Sequence, residues 1–163
     1  ARWAEARRVP KVLVATQTRV VEPVVDCEGA WYPSVPVVSV EPAADRLWET
    51  AAVVGSPAAS AWLASRLAGT ALSADTVRVG ASHLLEVPLP VDREAWRDGA
   101  ERLAEAADAA RRGDGSAWDR ALRAFGETMV AAYGVAGPAV LDWWEERRPR
   151  WRSERRWDSA GAL

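Results

Sequence analysis

The chain changes character at Pro90. Before it, short stretches rich in β-branched residues alternate with prolines and tight turns. After it, an alanine-rich, charged stretch keeps apolar residues at spacings of three and four. A sheet-forming first part and a helix-forming second part cannot both belong to one repeating architecture. The expected fold class is therefore α+β: a small strand-rich subdomain with two packed helices, followed by a helical C-terminal part. The boundaries read as 1–90 for the strand-rich part, 91–150 for a helical hairpin plus a third helix, and 151–163 for a flexible tail. With 163 residues, the whole could also pack as one unit.

In the first part, KVLVATQTRVV (Lys11–Val21) and SVPVVSV (Ser34–Val40) predict strands. The turn between them is bracketed by Asp26 and Gly29, which suggests a hairpin or a meander of two to three strands. Pro23, Pro33 and Pro36 place some of these strands at an edge or make them irregular. Leu47, Trp48, Ala51, Ala52 and Val54 predict a short helix ended by Gly55. Ser56-Pro57 caps and opens the next one, whose stripe is Ala59, Trp62, Leu63 and Leu67, with Gly69 as its stop. SADTVRV and HLLEVPLP each read as a short helix or turn leading to a brief strand.

In the second part, Trp96, Ala100, Leu103, Ala107 and Ala110 define one face of a helix over Asp92–Arg111. Ser116 and Asp119 resemble a capping box ahead of the stripe Trp118, Leu122, Phe125, Met129 and Ala132. Gly134 closes that helix, and Pro138–Arg148 predicts a third. Of Trp143 and Trp144, one is expected in the core and one as a lid.

Several function classes lack their residues. The single cysteine, Cys27, excludes an internal disulfide and reads as a passive turn residue. His83 is the one histidine, so zinc sites built from several His and Cys are out. No apolar run is long enough to span a bilayer, and the charged start ARWAEARRVPK is no signal peptide. A cytoplasmic location is expected. A start at Ala1 without Met reads as a piece of something longer or as an artificial start. There is no G-x-S-x-G elbow, H-E-x-x-H, P-loop or G-x-G-x-x-G. The carboxylates of 92–120 lie beside arginines at helical spacing, as on a solvated ion-paired face.

Charge distribution is more informative than the net −2. The 20 arginines, one lysine and complete lack of Asn and Ile look like a GC-rich genome, so arginine number alone says little. Residues 1–20 nevertheless hold five basic side chains against one acidic, and RRPRWRSERR is a second basic cluster. Period-two alternation puts Lys11, Leu13, Ala15, Gln17 and Arg19 on one face of the first strand. Gln17 is the sole glutamine. It and Arg19 are either plain solvated residues or groups able to bond adenine and guanine edges.

Three stretches in order carry a resemblance: RRVPKVLVATQTRVVEPVVDCEGAWYPSVPVVSV, LWETAAVVGSPAASAWLASRLAGTALS and TVRVGASHLLEVPLPVD. Together they resemble the target-recognition region of gamma-class N6-adenine DNA methyltransferases. The same region is similar to the recognition domains of type I restriction specificity subunits. AAYGVAGPAVLDWWEERRP looks like the helical tail of actinobacterial-type members, and the resemblance covers roughly residues 8–148.

The resemblance implies a partner, double-stranded DNA, and a methyltransferase catalytic domain in cis or a modification subunit in trans. It implies S-adenosylmethionine as cofactor of that domain and none for this chain. The family's Asn/Asp-Pro-Pro-Tyr/Phe motif and glycine-rich cofactor loop are absent here, so no enzyme activity is expected of this chain alone. Arg7, Arg8, Lys11, Arg66, Thr70, Arg78 and Ser82, with Ser73, become candidate phosphate contacts, and Gln17 and Arg19 candidate base contacts. The stretch Arg66–Pro90 becomes mostly scaffold. The alternative is a helical protein-interaction module, or a specificity subunit docking a modification subunit through residues 92–148.

Overall fold

The computed structural model describes residues 5, 8–71 and 75–151, with Ala44 placed by its backbone alone. The architecture is α+β. A three-stranded antiparallel sheet has the order β3-β1-β4, from β1 (Lys11–Ala15), β3 (Pro23–Asp26) and β4 (Val37–Val40). A separate two-stranded ribbon pairs β2 (Gln17–Thr18) with β5 (Val77–Arg78). Six helices complete the described residues: α1 (Leu47–Gly55), α2 (Pro57–Leu67), α3 (Ala81–Leu85), α4 (Arg93–Arg111), α5 (Gly115–Ala132) and α6 (Ala139–Arg147).

The stretch Lys11–Val21 is one strand by composition and two strands in space. Thr16 divides it. Its N–H donates to Pro36 O at 2.9 Å, on the side of β4, while its C=O accepts from Val79 N at 2.8 Å, on the side of β5. One residue thus passes the chain from the first sheet to the ribbon. The alternation continues through that bend, with Val12, Val14 and Val20 buried and Ala15, Gln17 and Arg19 outward, but Lys11, expected on the face of Gln17 and Arg19, is buried. Pro23 pairs with Val14 at the first position of edge strand β3, where its missing N–H costs no ladder bond. Gly29 has φ +67° and lies so close to Arg8 and Val9 that any Cβ would strike their backbone.

Ser56 caps α2 from a fully buried position, accepting from Ala59 N at 3.0 Å and donating to Val53 O at 2.9 Å. Ser60 accepts the N–H of Val21 at 3.0 Å inside the core, which ties α2 to the chain leaving β2. The second predicted return strand does not form. Leu84 falls in the short helix α3, and residues 86–92 run without regular structure. Pro88 and Pro90 remove two ladder donors from this stretch. Its backbone is held instead by α5: Tyr133 Oη donates to Pro88 O at 2.7 Å, and Val91 and Asp92 N–H both donate to Ala132 O.

The helical hairpin is capped differently from the expectation. Asp114, not Ser116, is the N-cap of α5 and accepts from Ala117 N at 2.9 Å. Gly113, at φ +72°, turns the chain so that the helix is capped two residues earlier than the Ser116 pattern implied. On α4 the buried residues are Gly99, Ala100, Leu103, Ala106 and Ala109. Ala107 and Ala110 are half-buried, because an alanine-rich helix marks its inner face poorly. Trp144 is buried and meets Phe125 edge-on, while Trp143 stays half-exposed beneath the Arg147 guanidinium. Arg148 is buried between Asp119 and Glu145, at 2.9 Å from each. Trp151 packs on Trp118 at 5.7 Å between ring centroids, and the rest of the expected tail, 152–163, lies outside the described residues.

The core crosses Pro90. One cluster of buried side chains runs from Val12 and Val14 through Leu63 to Leu103, Phe125, Met129 and Trp144. Trp96 Nε1 donates to Glu49 O at 2.8 Å, joining α4 to α1. Among the described residues no helix is long and apolar enough to cross a membrane.

Candidate nucleic-acid interface

The candidate residues fall into two groups at opposite ends of β1. Lys11 and Gln17 are separated by six residues, up to roughly 20 Å of extended chain. Near the first end sits Arg8, exposed, with its guanidinium carbon 5.9 Å from the centre of the Tyr32 ring. Trp31 and Tyr32 are both about half exposed on the loop after Asp26. Their part here was not legible in the sequence beyond two aromatics following a glycine turn. Arg7 and Ser73 lie outside the described residues.

Lys11 is a correction. Its side chain is buried, its Nζ lies 2.9 Å from Asp26 Oδ2, and it donates to Val9 O at 2.9 Å. An ammonium held inside the sheet by a carboxylate and a carbonyl cannot reach a phosphate. Asp26 in turn accepts from the N–H groups of Ala30 and Trp31, at 2.9 Å each. Burial pushes its carboxyl up, but the Lys11 ammonium and those two N–H groups outweigh burial and hold it below the ordinary carboxylate range. The pair shapes the loop that presents Trp31 and Tyr32.

At the other end the ribbon gathers Gln17, Arg19, Thr70 and Arg78. Gln17 and Arg78 are direct partners across β2 and β5, and both are exposed. Directly opposed residues of an antiparallel pair share a face. The reverse face carries the buried Val77 and half-buried Thr18. Arg19 is engaged by Asp75 at 3.1 Å, with both side chains half exposed. Thr70 is a positioning residue: its Oγ1 donates to Leu67 O at 2.7 Å and accepts from Arg78 N at 3.3 Å. Arg66 lies over its own helix's Trp62 at 4.3 Å, and Ser82 is exposed on α3. His83 accepts from Gly80 N at 3.0 Å through Nδ1 and so serves the start of α3. A groove of about 450 Å³ beside the ribbon is lined by Val35–Val37, Thr70, Arg78 and His83 among others.

A larger apolar cavity, about 520 Å³, opens between β3 and the helices, with Trp48, Leu103, Trp118, Phe125 and Trp144 among its walls. It contains none of the candidate contacts. Among the described residues no group of three or more His, Cys, Asp or Glu is placed to hold a metal ion. Comparison with protein-family models, with curated proteins and with solved structures gives no match.

Proposed function

We propose that this chain recognises duplex DNA in a sequence-specific way, on behalf of an N6-adenine DNA methyltransferase of the restriction-modification type. Catalysis and S-adenosylmethionine binding belong to a domain whose motifs this chain does not carry. The observation that carries the reading is the ribbon: Gln17 and Arg78, distant in sequence, stand side by side on an exposed face of a two-stranded antiparallel pair. Such a ribbon fits the major groove, and these two side chain types bond purine edges in pairs. Arg66, on α2, and Arg8, at the far end of β1, serve as phosphate contacts, and Arg19 joins them by exchanging a solvent-exposed partner, Asp75, for DNA. The absence of a net positive charge fits a recognition part that shares DNA with a more basic catalytic domain.

The test is a titration of the chain with a duplex pool at several ionic strengths. A recognition domain gives a log K that falls linearly with log salt. Lack of binding even at low salt would sink the reading and leave the helical interaction module. One observation favours a protein-docking surface as a second reading, just ahead of the helices of 92–148: Leu85, Leu89 and Val91 are 86%, 64% and 78% exposed. Those side chains would then hold a catalytic or modification partner.

A further inference from the structure

The pairing across the ribbon decides what Gln17 and Arg78 can do together. Val79 N donates to Thr16 O at 2.8 Å, so Thr16 and Val79 stand at a hydrogen-bonding position of the ribbon, with the Thr16 N–H turned to Pro36 O instead of completing the pair. The next pair, Gln17 and Arg78, is then the non-hydrogen-bonded kind, with Cα atoms about 4.5 Å apart and side chains close. In such a pair the backbone N–H points away from the partner strand. That of Arg78 does so, reaching Thr70 Oγ1 at 3.3 Å, and Thr70 is itself fastened to Leu67 O. The strand is thus held at Arg78 by Thr70 on one side and at the adjacent Val79 by Thr16 on the other.

The two side chains are also available. Neither the Gln17 amide nor the Arg78 guanidinium has a hydrogen-bond or ion-pair partner among the described residues. The other candidates differ: Lys11 is paired with Asp26, Arg19 with Asp75, Arg66 lies on Trp62 and Arg8 beside Tyr32. Because Gln17 and Arg78 project from one face at one level, a docking that brings one to a groove floor brings the other there too.

We infer that Gln17 and Arg78 form one base-reading unit that selects an A·T pair next to a G·C pair, with Arg78 a specificity residue and not a phosphate anchor. The inference rests on the reading of this chain as a DNA-recognition part. Adjacent base pairs along a strand are about 3.4 Å apart. Side chains whose Cβ atoms are about 4.5–5.5 Å apart can therefore each meet one of two neighbouring pairs. Glutamine bonds adenine N6 and N7 together, and the planar arginine fork bonds guanine O6 and N7.

The experiment is selection of duplexes from a pool with a randomised centre by the 163-residue chain and its Q17A, R78A and R78K variants, each checked for fold by circular dichroism. The wild-type chain is expected to enrich sites sharing an adjacent A·T and G·C. Q17A should lose preference at the A·T alone. R78A and R78K should both lose it at the G·C alone, since lysine keeps the charge but not the fork. Each loss should be on the order of 5- to 150-fold in relative affinity. If R78A weakens all duplexes alike, flattens the salt dependence and leaves the selected site unchanged, Arg78 is a phosphate anchor and the inference falls while the DNA reading stands. Salt-dependent binding without any selection by the wild-type chain also overturns it. No binding at low salt removes the inference and the reading together.

Discussion

Lys11 and Asp26 face each other as Cα partners across β1 and β3, and their charges meet 2.9 Å apart inside the sheet. A sole lysine in so arginine-rich a chain suggests a surface contact until its burial is seen. Lys11→Met removes the cation and leaves a buried carboxylate with only its two N–H donors. The expected loss is about 3 kcal/mol of stability, seen as a lower urea midpoint with an unchanged slope. A midpoint equal to that of the wild-type chain would mean Asp26 is solvated without its partner.

The same pair has a pH signature. The folded carboxyl of Asp26 lies below its unfolded value, so its stabilising contribution is complete above the unfolded value of about 3.9. It is lost as pH falls through the lower, folded value. Asp26→Asn should therefore be less stable than the wild-type chain at neutral pH, and the gap should narrow below about pH 4. Urea melts of both proteins across that range check the sign; a gap that widens on acidification contradicts it.

Two glycines test how rigid their neighbours are. A Cβ on Gly55, at the end of α1, would lie 2.6 Å from the Pro23 ring on β3. A Cβ on Gly99 in α4 would lie 2.4 Å from Met129 Sδ. A proline ring tied into a strand cannot move aside, whereas methionine can turn. Gly55→Ala should cost about 1–3 kcal/mol through overpacking. Gly99→Ala should cost clearly less, since alanine gains about 1 kcal/mol over glycine inside a helix. Thermal melts that rank the two the other way would show that Met129 is held more firmly than Pro23.

Tyr133 offers a third handle. Burial pushes its phenol up to about 12, with a smaller opposing effect from the nearby Ser56 hydroxyl. Its Oη also donates to Pro88 O on the connector. A folded value above the unfolded one means that the contribution is whole below about pH 10 and fades as pH rises toward the folded value. An ultraviolet titration should show a phenol step from Tyr133 well above the ordinary tyrosine range. Tyr133→Phe should remove the late step.

The helices were plain in the sequence because their signals are local. Ser56-Pro57, Gly69, Gly134 and the stripe through Phe125 and Met129 act within a few residues of themselves. The exceptions have local causes as well: Asp114 was a better cap than Ser116, and alanines at 106–110 marked no face.

Local residue chemistry is thus enough for the α+β class, the helix stops and the inward stripes of α2 and α5. Long-range packing sets the rest: Thr16 divides one strand between two sheets, Lys11 turns inward to Asp26, and Arg78 stands beside Gln17. The physical reason is the same in each case. Burial and strand pairing depend on groups far away along the chain: Asp26 for Lys11, Pro36 and Val79 for Thr16, and the ribbon register for Gln17 and Arg78. Period-two alternation can say that Lys11 and Gln17 share a face of an ideal strand, but not that one end of that face is covered and the other left open to a partner.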